Sequence, residues 1–238
     1  MRLDRYLCKF LDVESRNKAH QLIAARFVLV NAVVAQKPSM KIKPGDEVTT
    51  IAELQFVSRG GKKLYAAIAE FSVSLEGLDC IDVGASTGGF TDCMLQHGAN
   101  RVLALDVGRH QLHPKLQQDP RVLSIEQCDV RRFSDPPFYA DFLAVDLSFV
   151  SIALCLESIC ALMKENSKAI LLLKPQFEAG QLGYKRDYIP KGALRNRVIK
   201  HCLTHIEKHL HISSHFPSPI AGAKKGNIEE LILVEKRS

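Results

Sequence analysis

The spacing of apolar residues divides this chain near residue 60. Ahead of that point the pattern is that of a small mixed unit. Leu3, Leu7 and Leu11 fall on one helical face. Ser15 stands where an N-cap would open a second helix, whose apolar face is Ala19, Leu22 and Ile23. Residues 27–31 predict a short strand ending at a turn on Asn31, and Pro44-Gly45-Asp46 marks another turn before a strand over 48–51. Beyond residue 60, strand-length apolar runs alternate with amphipathic stretches. Strands are predicted over 80–83, 102–106, 122–126, 142–146, 169–173 and 231–235, and helices over 62–71, 90–97, 151–163 and 194–210. This alternation predicts an α/β fold of parallel βαβ units, with helices on both faces of one sheet. The domains expected are a small α+β unit over 1–52, a linker over 53–61 and an α/β domain over 62–238. Ligands of such sheets bind beyond the carboxyl ends of the strands, here the loops after residues 83, 106, 146 and 173.

Charge sharpens the division. Residues 1–63 carry 12 Lys and Arg against 6 Asp and Glu, while residues 64–238 carry 20 against 20. The whole formal surplus of +6 lies in the first quarter, which directs the small unit toward a polyanion. The seven cysteines (8, 80, 93, 128, 155, 160, 202) are odd in number and mostly flanked by apolar residues. That usage fits reduced, core-packed thiols of the cytoplasm, and Cys155-x4-Cys160 has no second pair with which to bind zinc. The N-terminus, with Arg2, Asp4 and Arg5, lacks the apolar stretch of a signal peptide. Residues 142–163 form a largely apolar stretch of 22, long enough to span a bilayer. They include Asp146 and Glu157, and an acid at mid-membrane costs about 3 kcal/mol. A buried strand followed by a packed helix is expected there instead.

The loop after the first strand, Asp82-Val83-Gly84-Ala85-Ser86-Thr87-Gly88-Gly89-Phe90, carries chemistry. It lacks the G-x-G-x-x-G of dinucleotide binding. It satisfies G-x-S-x-G, the elbow of a serine hydrolase, but follows the first strand rather than several. It also satisfies D-x-G-x-x-x-G, an S-adenosylmethionine loop in which Asp82 steers the cationic end of the cofactor. The next strand ends at Asp106, where a carboxylate accepts both ribose hydroxyls, and Asp129 follows the third strand at the place for an adenine amino group. Together the three acids favour a nucleoside cofactor over a hydrolase. Two later strand ends supply Asp146 and Lys174. A ribose hydroxyl is a poor nucleophile that needs a base or a fixed cation, and a lysine steadied by a carboxylate fills that part.

At these residues the chain resembles the TlyA family of ribosomal RNA ribose 2′-O-methyltransferases, related in their catalytic domain to FtsJ. Six blocks in order carry the resemblance: Ser58 to Leu64, Asp82 to Phe90, Asp106-Val107-Gly108, Asp146 to Ser151, Lys174 to Glu178, and Gly226-Asn227-Ile228-Glu229. The resemblance implies a Rossmann-like class I methyltransferase sheet and a catalytic tetrad of Lys63, Asp146, Lys174 and Glu229, with Lys62 and Glu230 adjoining its ends. It implies S-adenosylmethionine held by Asp82, Gly84, Ala85, Ser86, Gly88, Gly89, Phe90, Asp106 and Asp129. The product would be a 2′-O-methylated cytidine of ribosomal RNA, of the 23S type first and 16S second, with no metal required. The first 48 residues resemble the S-four-like RNA-binding module through Arg2-Leu3-Asp4, Ser15-Arg16, Ala19, Leu22-Ile23 and Val28-x-Val30-Asn31, departing from it at Arg26 and Ala32. Arg2, Arg5, Arg16, Lys18, Arg26 and Arg59 are the expected phosphate contacts, and ribosomal RNA or a ribosomal subunit the expected partner.

Other signals are weaker. His201, His205 and His209 recur every fourth residue without carboxylate partners in register, and surface is the expected reading over metal. Lys185-Arg186-Asp187 and 191–197 read as substrate-side loop or as solvated surface, and Lys224-Lys225 as an RNA phosphate contact or as ordinary exposed charge. Two rival functions stay open. A serine hydrolase would use Ser86 with Asp146 and His215. A membrane-active haemolysin, a label this family has carried, would need the stretch over 142–163.

Overall fold

The computed structural model describes residues 1–11, 13–24, 27–31, 33–50, 56–184, 187–222 and 226–237. Its contacts fall into two units, Met1–Gln55 and Phe56–Ser238.

In the first unit, α1 (Leu3–Phe10) and α2 (Arg16–Ala24) precede β1 (Val28–Val30), β2 (Val33–Val34) and β3 (Val48–Thr50). Ser15 Oγ accepts the Lys18 N–H at 3.2 Å, the N-terminal capping its sequence position calls for. Asn31 adopts φ 52° and its side chain accepts the Glu47 N–H, closing the turn after β1. β1 is central, antiparallel to β2 and β3. Leu3, Leu7, Ala19, Leu22 and Ile23 pack on Val28 and Val30 to form the core. Leu11, expected to extend the first helical face, is the C-cap residue and is exposed.

The second unit begins with α3 (Arg59–Phe71), so residues 59–61 of the expected linker lie inside a helix. Ser58 caps it, its side chain accepting the Gly60 N–H at 3.3 Å. There follow β4 (Asp79–Val83), α4 (Gly89–Gln96), β5 (Arg101–Leu105), α5 (Pro114–Gln117), β6 (Val122–Ile125), β7 (Ala140–Val145), α6 (Leu156–Ala161), β8 (Met163–Leu173), α7 (Pro175–Glu178), α8 (Ala193–Ile206), β9 (His211–Pro217) and β10 (Glu230–Glu235). The strands form one sheet in the order β6-β5-β4-β7-β8-β10-β9. Side chains alternate across it: Ile81, Val83, Leu103, Leu143 and Val145 serve one core, Cys80, Val102, Phe142 and Ala144 the other.

Two expectations need correction. The strands β6 to β8 are parallel, but β10 runs antiparallel to both β8 and β9. The cause is β9, a strand that His211, Ser213, Ser214 and His215 conceal in the sequence and that forms the sheet edge, where one face is wet. The helix expected over 151–163 is broken: a 3-10 turn at Ile152–Leu154 leads into the short α6, and Met163 already pairs with Ala140 as the start of β8. Ladder pairing along the 11-residue β8 overrides the helical pattern there.

Candidate active site

The carboxyl ends of β4, β5 and β7 are level, with Val83 paired to Leu105 and to Val145. The chain turns sharply beyond them. Gly84 has φ +87°, and a Cβ there would lie 2.6 Å from the Asp146 carbonyl oxygen, so only glycine lets the first loop approach the loop after β7. Between the loops that follow β4 to β7 lies a cleft of about 410 Å³, lined in part by Gly84, Ser86, Asp106, Asp129 and Asp146.

The expected cofactor residues divide into those facing this cleft and those behind it. Asp106 is held by N–H groups of Ser86, at 2.7 Å, and Gly108, at 2.6 Å. Asp129 accepts from Arg131, whose side-chain hydrogen bonds lower its carboxyl to about 2. Asp82 does not line the cleft. It is fully buried against α4, with Oδ2 accepting the Thr91 N–H at 2.8 Å and Oγ–H at 2.6 Å. Its Oδ1 is buried without a hydrogen-bond partner among the described residues. Burial pushes the Asp82 carboxyl up to about 7 against the Thr91 bonds, and the nearby charges of Asp146 and Asp106 add to the rise. Ala85, Gly88, Gly89 and Phe90 shape the loop from beneath, Ala85 and Phe90 being buried. A glycine cradle, a cluster of carboxylates and an orphaned buried oxygen fit a cation-bearing nucleoside.

A second group adjoins the cleft. Lys174 follows β8, and its Nζ donates to Ser148 Oγ at 2.8 Å and lies 2.5 Å from Asp146 Oδ1. Lys63, on α3, donates from Nζ to Glu229 Oε2 within the interior. Because β10 runs backward, its first residues rather than its last stand at the carboxyl edge. Glu230 pairs with Leu173, and one further step of that register sets Glu229 opposite Lys174. The structure thus separates the adjoining candidates: Lys63 reaches Glu229, whereas Glu230 bonds Arg195 at 2.6 Å and His215 at 3.1 Å. Lys62 is only partly buried, and desolvation lowers its ammonium pKa.

Ser148, Phe149 and Asp4 lie within the matching motifs, but nothing in the sequence assigns any of them a role of its own. Phe149 is 80% exposed, adopts φ 66° and sets its ring 5.2 Å from that of Phe177, beside Lys174. Nothing local in the sequence marks an aromatic residue as exposed. In the first unit, the expected phosphate ligands Arg2 and Arg16 both bond the buried Asp4, as does His20, and this holds the Asp4 carboxyl far below its usual range. Arg2 and Arg16 remain about half exposed, at 43% and 53%. Arg5 is exposed, Lys18 is half-buried and Arg59 opens α3. Arg26, Ala32, Lys185, Arg186, Lys224 and Lys225 lie outside the described residues.

The rival readings lose their geometry. Ser86 Oγ–H donates to Gln111 Oε1 at 3.2 Å, His215 meets Glu230, and Asp146 meets Lys174, so these residues do not form a hydrolytic triad. No helix among the described residues is long and apolar enough to cross a membrane. Among them, too, no three His, Cys, Asp or Glu side chains gather to hold a metal ion. His205 instead contacts the His201 carbonyl through its ring nitrogen at 3.0 Å.

Comparison with known proteins is consistent across the chain. The profile described as FtsJ-like methyltransferase matches residues 56–236, and that of the S4 domain matches residues 1–48. Hemolysin A of Brachyspira hyodysenteriae is 40% identical, with 97% of this chain and 98% of that one covered. The 16S/23S rRNA (cytidine-2'-O)-methyltransferase TlyA of Mycobacterium tuberculosis is 36% identical over 76% of this chain and 69% of its own. A solved Streptococcus thermophilus structure bearing the hemolysin name superposes with a TM-score of 0.78 at 36% identity, covering 100% of this chain and 89% of that one.

Proposed function

This chain belongs to the FtsJ-like methyltransferase family, with an S4 domain ahead of the catalytic one, and on that premise we propose that it methylates the 2′-hydroxyl of a cytidine in ribosomal RNA. The observation that carries the reading is the Lys174 amine, held between Asp146 and Ser148 at the mouth of the cleft. A hydroxyl nucleophile needs a positioned base, and this amine is the group placed to serve as one.

When bound, S-adenosylmethionine supplies a methyl group on a positively charged sulfur, open to in-line attack by a nucleophilic oxygen. Asp106 and Asp129 would take its ribose and adenine, Gly84 and Ser86 its backbone contacts, and Asp82 would favour its cationic end from behind the loop. In its neutral form the Lys174 amine takes up the 2′-hydroxyl proton as the oxygen attacks. Asp146 and Ser148 fix the direction of the Lys174 amine. Lys63, steadied by Glu229, holds the sugar from the α3 side. Arg2, Arg5, Arg16 and Lys18 of the S4 domain, with Arg26 and Arg59, would grip RNA phosphates and so place the target without reading its bases. A ribosomal substrate, free RNA or assembled subunit, puts the reaction in the cytoplasm, with 23S RNA the first target and 16S the second.

Lys174→Ala tests the assignment. Methyl transfer to ribosomal RNA should fall by at least about 10³-fold, while S-adenosylmethionine affinity by calorimetry stays within a few-fold. Transfer near the wild-type rate would remove Lys174 from this role. Mapping ribose methylation on 23S and 16S RNA, with and without the protein, identifies the nucleotide.

A further inference from the structure

Glu178 ends α7, four residues past Lys174, and is 1% exposed. Among the described residues its carboxylate meets only uncharged donors. The Ser151 hydroxyl donates at 2.5 Å, the Ile152 N–H at 2.9 Å and the Cys202 thiol at 3.6 Å. Neutral donors offset the desolvation of a carboxylate only in part, and burial accordingly raises the Glu178 carboxyl above its ordinary range. The carboxylate therefore calls for a reason beyond packing.

Its partners supply one. Ser151 and Ile152 open the 3-10 turn that directly follows the loop bearing Asp146 and Ser148. On the other side, the N–H groups of Phe177 and Glu178 both donate to the Lys174 carbonyl, so the turn from Lys174 to Glu178 is rigid. Glu178 thus joins the two segments whose side chains meet at the reacting centre. Cys202 ties the same carboxylate to α8. The loop so held includes Phe149 at φ 66°, a left-handed conformation that an aromatic residue keeps only when its surroundings impose it.

We propose that Glu178 is a positioning residue, clamping the loop after β7 to the turn after β8 and so setting the reach of the Lys174 amine to Asp146 and Ser148. The proposal rests on the role given to Lys174 above. Glu178→Gln keeps the volume and the bond from Ile152 but puts an amide N–H in place of the oxygen that accepts the Ser151 hydroxyl and the Cys202 thiol, so the Ser151 bond is at best reversed and weakened. Ser151→Ala opens the clamp from the other side, and Ser151→Thr keeps the hydroxyl.

Three quantities are measured for each variant: the single-turnover methyl-transfer rate, the S-adenosylmethionine Kd by calorimetry, and the folded fraction by thermal unfolding. Transfer in Glu178→Gln should fall about 10- to 100-fold, with Kd within about threefold and the folded fraction unchanged. Ser151→Ala should fall similarly and Ser151→Thr should recover most of the rate. The double variant Ser151→Ala/Glu178→Gln should be no slower than the slower single one, because both changes act through one contact. A wild-type rate in Glu178→Gln, or rates that merely track the folded fraction, would overturn the proposal. Lys174→Ala run alongside keeps the two ideas apart. Transfer surviving that change sinks the reading of Lys174, whereas its loss beside an unaffected Glu178→Gln sinks only the clamp.

Discussion

Asp82 shows how far one side chain can bias both stability and function. It lies fully buried, one oxygen bonded twice by Thr91 and the other orphaned. Its carboxyl is raised from 3.8 to about 7, so between those values the folded protein keeps a proton that the unfolded chain has released. Stability from this residue is therefore complete in acid and lost as pH rises toward about 7. Asp82→Asn, neutral throughout, should flatten that decline. Urea unfolding of both proteins at about pH 5 and about pH 7.5 measures it, and equal declines would place the titrating group elsewhere. A retained acid with this cost suits a site meant to receive a cation.

Among the elements, the start of α3 lies against the start of α4 with almost no side chain between them. A Cβ on Gly89 would stand 2.1 Å from Ser58 Oγ and 2.9 Å from the Gly61 nitrogen. Gly89→Ala should accordingly cost about 1–3 kcal/mol by overpacking, and should also loosen the Ser58 cap. Gly77 offers the contrast: nothing lies within 4 Å of its Cβ position, but φ is +73°. Gly77→Ala should cost only the local backbone strain of a left-handed L-residue, about 1 kcal/mol. Unfolding midpoints of the two variants test the order, and a larger loss at Gly77 would contradict the close approach. The reversed β10 matters as much. A parallel strand in its place would bring its last residues to the carboxyl edge, and Glu229 would sit at the far end of the sheet.

For the molecule as a whole, the basic surplus of residues 1–55, 9 Lys and Arg against 6 Asp and Glu, is organised rather than diffuse. Asp4 subtracts a charge yet fixes Arg2 and Arg16, whose side chains stay about half exposed. Asp4→Ala should thus weaken ribosomal RNA binding, by about tenfold, although it makes the chain more positive. Arg16→Ala should weaken binding to unrelated RNAs alike and reduce the salt slope by about one. Filter binding across a salt series checks both, and tighter binding by Asp4→Ala would mean that charge alone counts.

The sequence determined what depends on neighbours along the chain. Apolar periods located β4, β5, β6 and β7 to within two residues at each end, Ser15 announced α2, and the glycines of 84–89 announced the sharp turn after β4, because backbone conformation there answers to local pattern. Tertiary structure alone decided which of two lysines meets which of two glutamates, that Asp82 sits behind the cleft rather than in it, that β9 exists, and that β10 runs backward. The Lys63–Glu229 contact joins residues 166 apart and the Arg16–Asp4 contact residues 12 apart. Such pairings are selected by the packing of whole elements, a quantity that no short window of residues contains.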